Sequence, residues 1–396
     1  MTLAIGQAEY TERTSALANG LRDAGLDGAV LFEPSYVLYY VGFAFVPTER
    51  PMAFVLSAEG DGGMLVPRLE REHAQANALV SHVADYPEYP SESHPMEALG
   101  KLLETMGLSG AALGADQDGY PWILGYRGPT LTELTGRTPQ KISAFVEDQL
   151  AIKSDAEIAL IRESAKWGNL AHVLLQRYTR PGLTEVEVSQ RASNEATLAM
   201  LDAIGPIYRA QNAFSDGAHA GYRGQIGRNA AIPHALTANI TFRAGDVLVT
   251  GASAPVWGYL SELERTMVIG EPSAKQEELF GHMVALQDTA FEAIKPGARC
   301  SDVDQAVRAY YDEHGLWDYW KHHVGHCIGL RYHEGPFLDI GDETEIEPGM
   351  VFTVEPGLYA DGVGGFRHSD TVAVTDDGID FLTYYPRDLE SLTLPA

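Results

Sequence analysis

Two periods of apolar residues alternate along the N-terminal third of the chain, and this alternation predicts an α/β domain. Helical periodicity, with apolar residues three and four apart, covers 10–24, 68–79 and 95–106. Short apolar runs typical of buried strands cover 28–32, 52–57 and 110–114. Because strands that alternate with helices build layered domains, we expect an α/β fold for this part of the chain.

The end of this first domain is indicated by a signal for the start of a helix. Ser154 can cap a long helix, and Glu157, three residues further on, is its capping-box partner. We therefore predict a smaller N-terminal α/β domain at 1–148 and a second domain at 149–396.

The second domain contains a weak internal echo. The segments 180–186 and 295–303 each end a helix with a Pro-Gly pair and then offer a hydroxyl cap for the next helix. Strand-rich stretches follow both copies. This pattern predicts two similar αβ halves related by a pseudo-twofold axis.

Composition excludes some classes of function. The chain has 396 residues and a net charge of -27, so its surface repels phosphate backbones and a nucleic-acid partner is not expected. No apolar run reaches the roughly 18–20 residues of a membrane helix, and the first ten residues lack the pattern of a secretion signal. We therefore expect a cytoplasmic protein without a membrane partner.

The two cysteines, Cys300 and Cys327, are interpreted as buried thiols.

Four segments of the second domain concentrate histidine and glutamate among glycines and strand-forming residues. They are 229–237 with His234, 258–266 with Glu262 and Glu264, 325–336 with His326 and His333, and 347–370 with Glu355 and His368. Each segment has an ordinary structural explanation, such as a turn or a solvated strand face. Four of them in one domain, each beside a strand pattern, nevertheless favour a polar functional site.

Three features of these segments have physical consequences. Glu262 and Glu264 are two apart in an extended stretch, so their side chains share one face. Glu355 ends an apolar run, where a carboxylate is costly unless it has a partner. His326 lies among glycines that let the backbone approach closely. These residues alone leave general acid–base hydrolysis and metal binding equally open.

These segments, in this order, resemble the pita-bread hydrolases, the family of creatinase, prolidase and methionine aminopeptidase. The resemblance covers nearly the whole chain and is carried by the segments "IKSDAEIALIRESA", "GHCIGLRYHEGP", "EPGMVFTVEPGLY" and "GGFRHSDTVAVTDDG". It implies a C-terminal pita-bread domain and a smaller N-terminal creatinase-like α/β domain. It also implies a homodimer in which the N-terminal domain completes the partner's active site for a small-molecule substrate.

The resemblance also implies a set of metal ligands. Peptidases of this family hold two metal ions with two Asp, one His and two Glu. The matching positions here are Gly251, Glu262, His326, Glu355 and Ser369. Because glycine has no donor atom and a serine hydroxyl is a poor ligand for a divalent ion, the two-ion cage is not expected to form. We therefore predict no cofactor, with a single divalent ion at Glu262, His326 and Glu355 as the alternative.

Creatinase works without a metal, and several motifs resemble it in particular. "GYLSELERT" contains its Glu-Arg-Thr triplet, and "IKPGARCSD" is nearly identical to its counterpart. His234 has the spacing of its catalytic histidine, and Arg50 matches the arginine that holds its substrate's carboxylate. Two departures are the segment 333–336, which resembles the peptidases, and Ser369, where creatinase has a histidine.

The resemblance to creatinase implies a metal-independent hydrolase that cleaves a C–N bond in a small, nitrogen-rich amidine, guanidine or amide. His234 is predicted to act as general base, while Glu264 and Glu355 hold a cationic group of the substrate. The predicted substrate-binding residues are Arg50, Glu262, His326, His333 and His368.

Two other functions remain open. One is an Xaa-Pro dipeptidase or aminopeptidase with a reduced metal site, which tightly bound manganese, zinc or iron would favour. The other is a binding module that has lost catalysis, which would show no turnover on any amide or amidine.

Overall fold

The computed structural model describes residues 3–121 and 124–396, which form two compact units. One unit contains Ala4–Leu150 together with Gln211–Phe214, and the other contains Ala151–Ala210 and Ser215–Ala396. The division after residue 148 stays a prediction, because compactness alone does not show that each part folds by itself.

The N-terminal unit is a mixed sheet with helices, as the alternating pattern predicts. Its helices are α1 (Gln7–Asp23), α2 (Pro34–Val41), α3 (Arg71–Asn77), α4 (Pro95–Thr105), α5 (Leu131–Thr135) and α6 (Ser143–Ala151). Its strands are β1 (Gly28–Leu31), β2 (Ala53–Ser57), β3 (Gly62–Pro67), β4 (His82–Tyr86), β5 (Leu113–Ala115) and β6 (Gln140–Lys141). They form one sheet in the order β4-β3-β2-β1-β5-β6. β1 is antiparallel to β2 and parallel to β5.

Most element ends in this unit differ from the predicted ones by one to three residues, and two of these differences show the physical reason. The strand predicted at 110–114 begins only at Leu113, because Gly110 has a φ of 69° and belongs to the turn that precedes it. The helix predicted at 68–79 starts with a 3₁₀ turn and ends at Asn77. Both differences concern element ends, where local turn chemistry overrides the apolar period.

A buried carboxylate lies directly after β5 in the N-terminal unit. The backbone N–H groups of Phe32, Glu33 and Gln117 donate hydrogen bonds to the carboxylate of Asp116. Burial nevertheless raises the pKa of Asp116 to about 6, because the loss of hydration outweighs the three neutral donors. The hydrogen bonds of Asp116 therefore connect the segments that follow β1 and β5, although burial of its charged form is unfavourable.

The C-terminal unit contains the longer helices and several small, mostly antiparallel sheets. Its helices are α7 (Asp155–Tyr178), α8 (Glu185–Ile204), α9 (Ala274–Ala293) and α10 (Cys300–His314). Its first strands are β7 (His219–Gly221), β8 (Val247–Val249), β9 (Gly251–Ser253), β10 (Thr266–Ile269), β11 (Gly325–Cys327) and β12 (Glu334–Leu338). The remaining strands are β13 (Val351–Val354), β14 (Gly357–Ala360), β15 (Gly364–Arg367), β16 (Asp370–Thr375), β17 (Gly378–Phe381) and β18 (Thr393–Leu394).

Two of the long helices of this unit, α7 and α9, begin at serine capping boxes. Ser154 accepts a hydrogen bond from Glu157 N–H, and the Glu157 side chain accepts one from Ser154 N–H, as predicted for the start of α7. Ser273 and Gln276 repeat this arrangement at α9. In the described ranges, 3–121 and 124–396, no helix combines the length and the apolar character that crossing a membrane requires.

The central sheet of the C-terminal unit brings distant segments of the sequence together. Its order is β12-β11-β13-β16-β17, and all of its neighbouring strands are antiparallel. A side chain at Gly325 in β11 would place its Cβ only 2.0 Å from the carbonyl oxygen of Thr353 in β13. Glycine at this position therefore allows the two strands to approach, which places His326 beside the end of β13.

Candidate metal centre and its neighbouring pocket

Three side chains from three separate segments converge in the C-terminal unit. His326 lies in β11, Glu355 directly follows β13, and Glu262 precedes β10. One donor atom of each residue lies within 4.8 Å of the donor atoms of the other two. His326 is fully buried, Glu355 is nearly so, and its Oε1 lies 3.1 Å from His326 Nε2. The cluster therefore offers two carboxylates and one imidazole to a common point.

The titration of these groups reflects their crowding. Burial raises the pKa of Glu262 to about 8, and the charges of Glu355 and Glu264 add to this effect. Burial also lowers the pKa of His326, but the neighbouring carboxylates outweigh it and raise the pKa to about 9. For Glu355, burial is opposed by His326 and Arg367, which hold the pKa below its ordinary value. The carboxylates thus compete for too few positive charges.

The donor set of the cluster fits one divalent ion. Oxygen and imidazole donors together suit zinc, manganese or iron. The Nε2 atom of His326 is buried and makes no well-directed hydrogen bond among the described residues; it faces the Glu355 carboxylate 3.1 Å away, which suits a nitrogen that would share a cation with that carboxylate. Burial and the charges of Glu355 and Glu264 keep the pKa of Glu262 raised although His326 opposes them, so a further positive charge at this point would be stabilising.

The same residues do not fit a pair of ions. Gly251, at the start of β9, has no side chain, and a Cβ there would lie 3.5 Å from Glu264 Oε1. Ser369 does not supply a carboxylate; its hydroxyl donates a 2.8 Å hydrogen bond to Glu262 Oε1. Two of the five expected ligands are therefore absent, and the described residues around this cluster supply ligands for one ion.

Glu264 lies beside the cluster and is neutralised by the chain itself. One of its oxygens accepts a 2.7 Å hydrogen bond from Arg223, and the other accepts a bond from Arg367 Nε. Arg367 is buried, and its Nε also lies 3.7 Å from Glu355 Oε2. Its Nη1 donates to the hydroxyl of Tyr359 at 3.1 Å. Both oxygens of Glu264 are thus occupied by guanidinium groups of this chain.

Two predicted histidines lie at the edge of the cluster. The ring of His333 stacks on His326 with centroids 3.9 Å apart and an interplanar angle of 19°. Burial lowers the pKa of His333 to about 4, and the charges of His326, His323 and His234 contribute. His234 is exposed in a turn after the 3₁₀ segment Gly227–Ala231. Its predicted role as general base stays a prediction.

The structure does not bring two other predicted residues into the cluster. His368 is fully buried, and its ring packs edge-on against Phe280 of α9 at 5.3 Å. The predicted substrate-binding role of His368 stays a prediction. Arg50 belongs to the N-terminal unit, where it pairs with Glu49 and Glu88 at 2.7 and 2.6 Å. Its role toward a carboxylate stays a prediction.

A pocket of about 420 Å³ opens next to the cluster. Its wall includes Glu262, Glu264, Arg223 and Tyr332. The hydroxyl of Tyr332 is hydrogen bonded to His219 Nε2 at 3.0 Å. This volume accommodates a molecule of the size of a dipeptide, and one side of the cluster faces it.

Three side chains beside the cluster and the pocket are not indicated by the sequence patterns. Arg367 lies in a segment that was singled out for its histidine, and its signal was an arginine in a stretch of buried strand residues. Tyr359 had no signal beyond an apolar pattern. Arg223 stands before Gly224 in a loop, where an exposed arginine is the ordinary expectation. The partners of all three are distant in sequence, so spacing could not reveal them.

Comparison with known families identifies the chain. Residues 159–376 match the family described as Metallopeptidase family M24, and residues 13–126 match the Creatinase/Prolidase N-terminal domain. The class that the fold and site define is therefore a hydrolase with the pita-bread architecture. The chain belongs to the M24 metallopeptidase family, which confirms the predicted fold and family.

Individual relatives agree with this assignment. The chain is 30% identical over 381 residues to "Putative dipeptidase YkvY" of Bacillus subtilis (strain 168), which covers 95% of this chain and 99% of that one. Dipeptidase PepE from Mycobacterium ulcerans has a TM-score of 0.83 at 26% identity, covering 99% of this chain and all of the other. An Xaa-Pro dipeptidase from Bacillus anthracis has a TM-score of 0.77 at 26% identity, covering 97% and 100%.

These findings correct two predictions. The metal-independent, creatinase-like function is wrong, because the chain matches a metallopeptidase family and its relatives are named dipeptidases. The physical reason lies at Glu264, whose oxygens are held by Arg223 and Arg367 and are not free for a cationic substrate. The prediction of no cofactor is also wrong, because Glu262, His326 and Glu355 form a candidate metal site. The Glu-Arg-Thr triplet misled the reasoning, since it does not reveal what pairs with its glutamate.

Proposed function

We propose that this protein is a metal-dependent dipeptidase that acts on small peptides of the Xaa-Pro type and uses one divalent ion. The observation that carries the proposal is the convergence of Glu262, His326 and Glu355 within 4.8 Å beside a pocket of about 420 Å³. The names of the M24 relatives support the peptide as substrate class. This function corresponds to the Xaa-Pro peptidase with a reduced metal site, which the sequence left open as an alternative.

The reaction adds water across the peptide C–N bond. The hydroxyl goes to the acyl carbon and a proton goes to the leaving nitrogen, which yields two free amino acids. A divalent ion bound here would act as a Lewis acid toward the carbonyl and lower the pKa of a bound water.

The side chains around the cluster have distinct tasks in this proposal. Ser369 orients Glu262 by its hydrogen bond, and Arg367 forms ion pairs with Glu264 and Glu355. His333 has a pKa of about 4, so its ring is neutral at pH 7 and can accept a hydrogen bond from the substrate. The predicted homodimer and the cytoplasmic location stay predictions.

Metal analysis with a peptidase assay tests the proposal. Purified protein should contain one divalent ion per chain and hydrolyse Ala-Pro. Dialysis against a chelator should abolish hydrolysis, and added Mn²⁺, Zn²⁺ or Co²⁺ should restore it. Two ions per chain, or full activity after the metal has been removed, would contradict the proposal. Absence of hydrolysis with metal bound would favour the inactive binding module.

A further inference from the structure

The pocket beside the cluster has a basic side chain that the metal site does not use. Arg223 lines the pocket together with Glu185, Glu262 and Glu264, and about half of its side chain, 49%, is exposed. Among the residues that form this wall, it is the basic one. Its guanidinium is therefore accessible to a ligand in the pocket.

The backbone holds Arg223 in an unfavourable conformation. Arg223 and Gly224 have φ values of 49° and 75°, and Gln225 N–H donates to Tyr222 O at 2.8 Å. A tight turn with two positive φ angles favours Gly, Asn or Asp at its first central position. Glu185 holds the turn by accepting a 2.8 Å hydrogen bond from Gly224 N–H. Strained backbone conformations of this kind are typical of binding sites, where they hold a side chain in the orientation that the ligand requires.

Two acidic side chains of the pocket wall, Glu185 and Glu264, already have partners, whereas Arg223 has N–H groups without an acceptor among the described residues. Glu185 accepts hydrogen bonds from three backbone N–H groups, and Glu264 is held by two arginines. Arg223 uses one nitrogen, Nη2, to reach Glu264 and Gln225. Within the described ranges, its Nε and Nη1 atoms have no hydrogen-bond acceptor. A planar fork with free N–H groups in a pocket suits a carboxylate.

The spacing matches that of a dipeptide. Glu262 belongs to the metal cluster, and Glu264, which holds Arg223, follows two residues later on the same face of an extended segment. Two residues of extended chain span about 6.6 Å. In a dipeptide, the scissile carbonyl and the terminal carboxylate are separated by a single residue. A dipeptide whose carbonyl lies at the cluster is therefore long enough to reach Arg223 with its carboxylate.

We propose that Arg223 binds the C-terminal carboxylate of the substrate and thereby restricts the protein to dipeptides. This inference rests on the proposed function, since it assumes that a peptide bond is cleaved at the cluster. It adds a residue that determines specificity, and it names the chemical group that this residue recognises. Longer peptides and peptide amides lack a carboxylate at this distance and would leave the guanidinium unpaired in the pocket.

The experiment compares Ala-Pro with Ala-Pro amide on the wild type and on variants. For the wild type, kcat/KM should be about 100-fold higher for the dipeptide, because a site built for a polar partner rejects analogues without it. Arg223→Met should reduce this preference to a few-fold, and Arg223→Lys should give an intermediate value. Arg228→Met changes an exposed arginine of the same segment outside the pocket and should leave the preference unchanged. Equal kcat/KM values for both peptides on the wild type would overturn the inference.

The ratio between the two peptides separates substrate recognition from a structural role. If Arg223 only neutralised Glu264, its loss would reduce the hydrolysis of both peptides equally and leave the ratio unchanged, which would also overturn the inference. Calorimetric binding of both peptides to chelator-treated protein covers the case in which nothing is hydrolysed. A preference for Ala-Pro that disappears in Arg223→Met would then support carboxylate recognition although the proposed function had failed. A ratio near one, or no binding of either peptide, would count against Arg223.

Discussion

Glu262 and Glu264 stand two residues apart on the same segment, yet the protein treats their charges in opposite ways. Glu264 accepts hydrogen bonds from two arginines, and one of them, Arg367, is buried. Glu262 receives a hydroxyl hydrogen bond and faces a histidine and a second carboxylate, and its pKa rises to about 8. One carboxylate is held by two guanidinium groups, whereas the other shares a single histidine with a second carboxylate.

The difference explains why a reduced ligand set still suits one metal ion. Where this chain lacks the first aspartate of its relatives, at Gly251, the neighbouring Glu264 is fixed by guanidinium groups and no cation is required. On the side of Glu262, His326 and Glu355, the negative charge exceeds the positive charge that the chain supplies. A buried carboxylate without a counter-charge is costly, so this side has the stronger demand for an ion.

The largest effect should follow from removing the imidazole of the cluster. His326→Ala deletes one of three ligands, so the ion and its Lewis-acid contribution of several kcal/mol should be lost. We expect dipeptidase activity to fall roughly 10⁴-fold and bound metal to fall below one tenth of an ion per chain. His314→Ala, which changes an exposed histidine at the end of α10, is the matched control. A variant that keeps its metal and its activity would contradict the ligand assignment.

The next largest effect concerns the internal counter-charge. Arg367→Met leaves Glu264 and Glu355 without their buried cation, and breaking a buried pair in this way costs about 3–5 kcal/mol. The free energy of unfolding, measured by urea denaturation without metal, should fall by that amount. Arg299→Met removes an exposed ion pair with Glu343 and should change it by less than about 0.5 kcal/mol. Equal losses in the two variants would show that Arg367 does not act as a counter-charge.

Sequence patterns were sufficient for the architecture but not for these charge partners. The cap at Ser154, the strand before Glu355 and the shared face of Glu262 and Glu264, which line the same pocket, follow from local periods and turn chemistry, and the structure contains all three. The pairing of Glu264 with Arg223 depends on side chains 41 residues apart, which no local period encodes. The missing partners led to the wrong expectation that Glu264 awaits a substrate cation.

A third buried carboxylate sharpens the comparison, because it has neither a guanidinium nor a metal cluster beside it. Asp116 in the N-terminal unit is held by backbone N–H groups, and its pKa is raised from 3.8 to about 6. A raised pKa means that the folded state binds the proton more tightly than the unfolded state. The stability linked to this proton is therefore complete below pH 4 and lost as the pH rises to about 6.

The expected loss is at most about 3 kcal/mol, since each pKa unit corresponds to 1.36 kcal/mol. It is measured as the difference in unfolding free energy between the wild type and Asp116→Asn at several pH values. The variant should be the less stable protein at pH 4, because its amide N–H faces backbone donors, and the gap should narrow toward pH 7. A carboxyl NMR titration should give a midpoint near pH 6. A midpoint near 4, with a constant gap, would show that hydrogen bonds alone can offset burial.

The smallest effect is expected at the hydroxyl that supports Glu262. Ser369→Ala removes a 2.8 Å hydrogen bond and should lower stability by about 1 kcal/mol. It should also weaken metal binding about tenfold, because groups that orient a ligand typically contribute 10- to 100-fold in affinity. Ser57→Ala removes a comparable buried hydroxyl, which accepts a hydrogen bond from Asp61 N–H in the N-terminal unit. If both variants lose similar stability but only Ser369→Ala loses affinity, the hydroxyl positions Glu262 for the ion. If the metal affinity is unchanged in both variants, the Ser369 hydroxyl does not position Glu262 for the ion. The difference between Glu262 and Glu264 would then be due only to the arginines that bind Glu264.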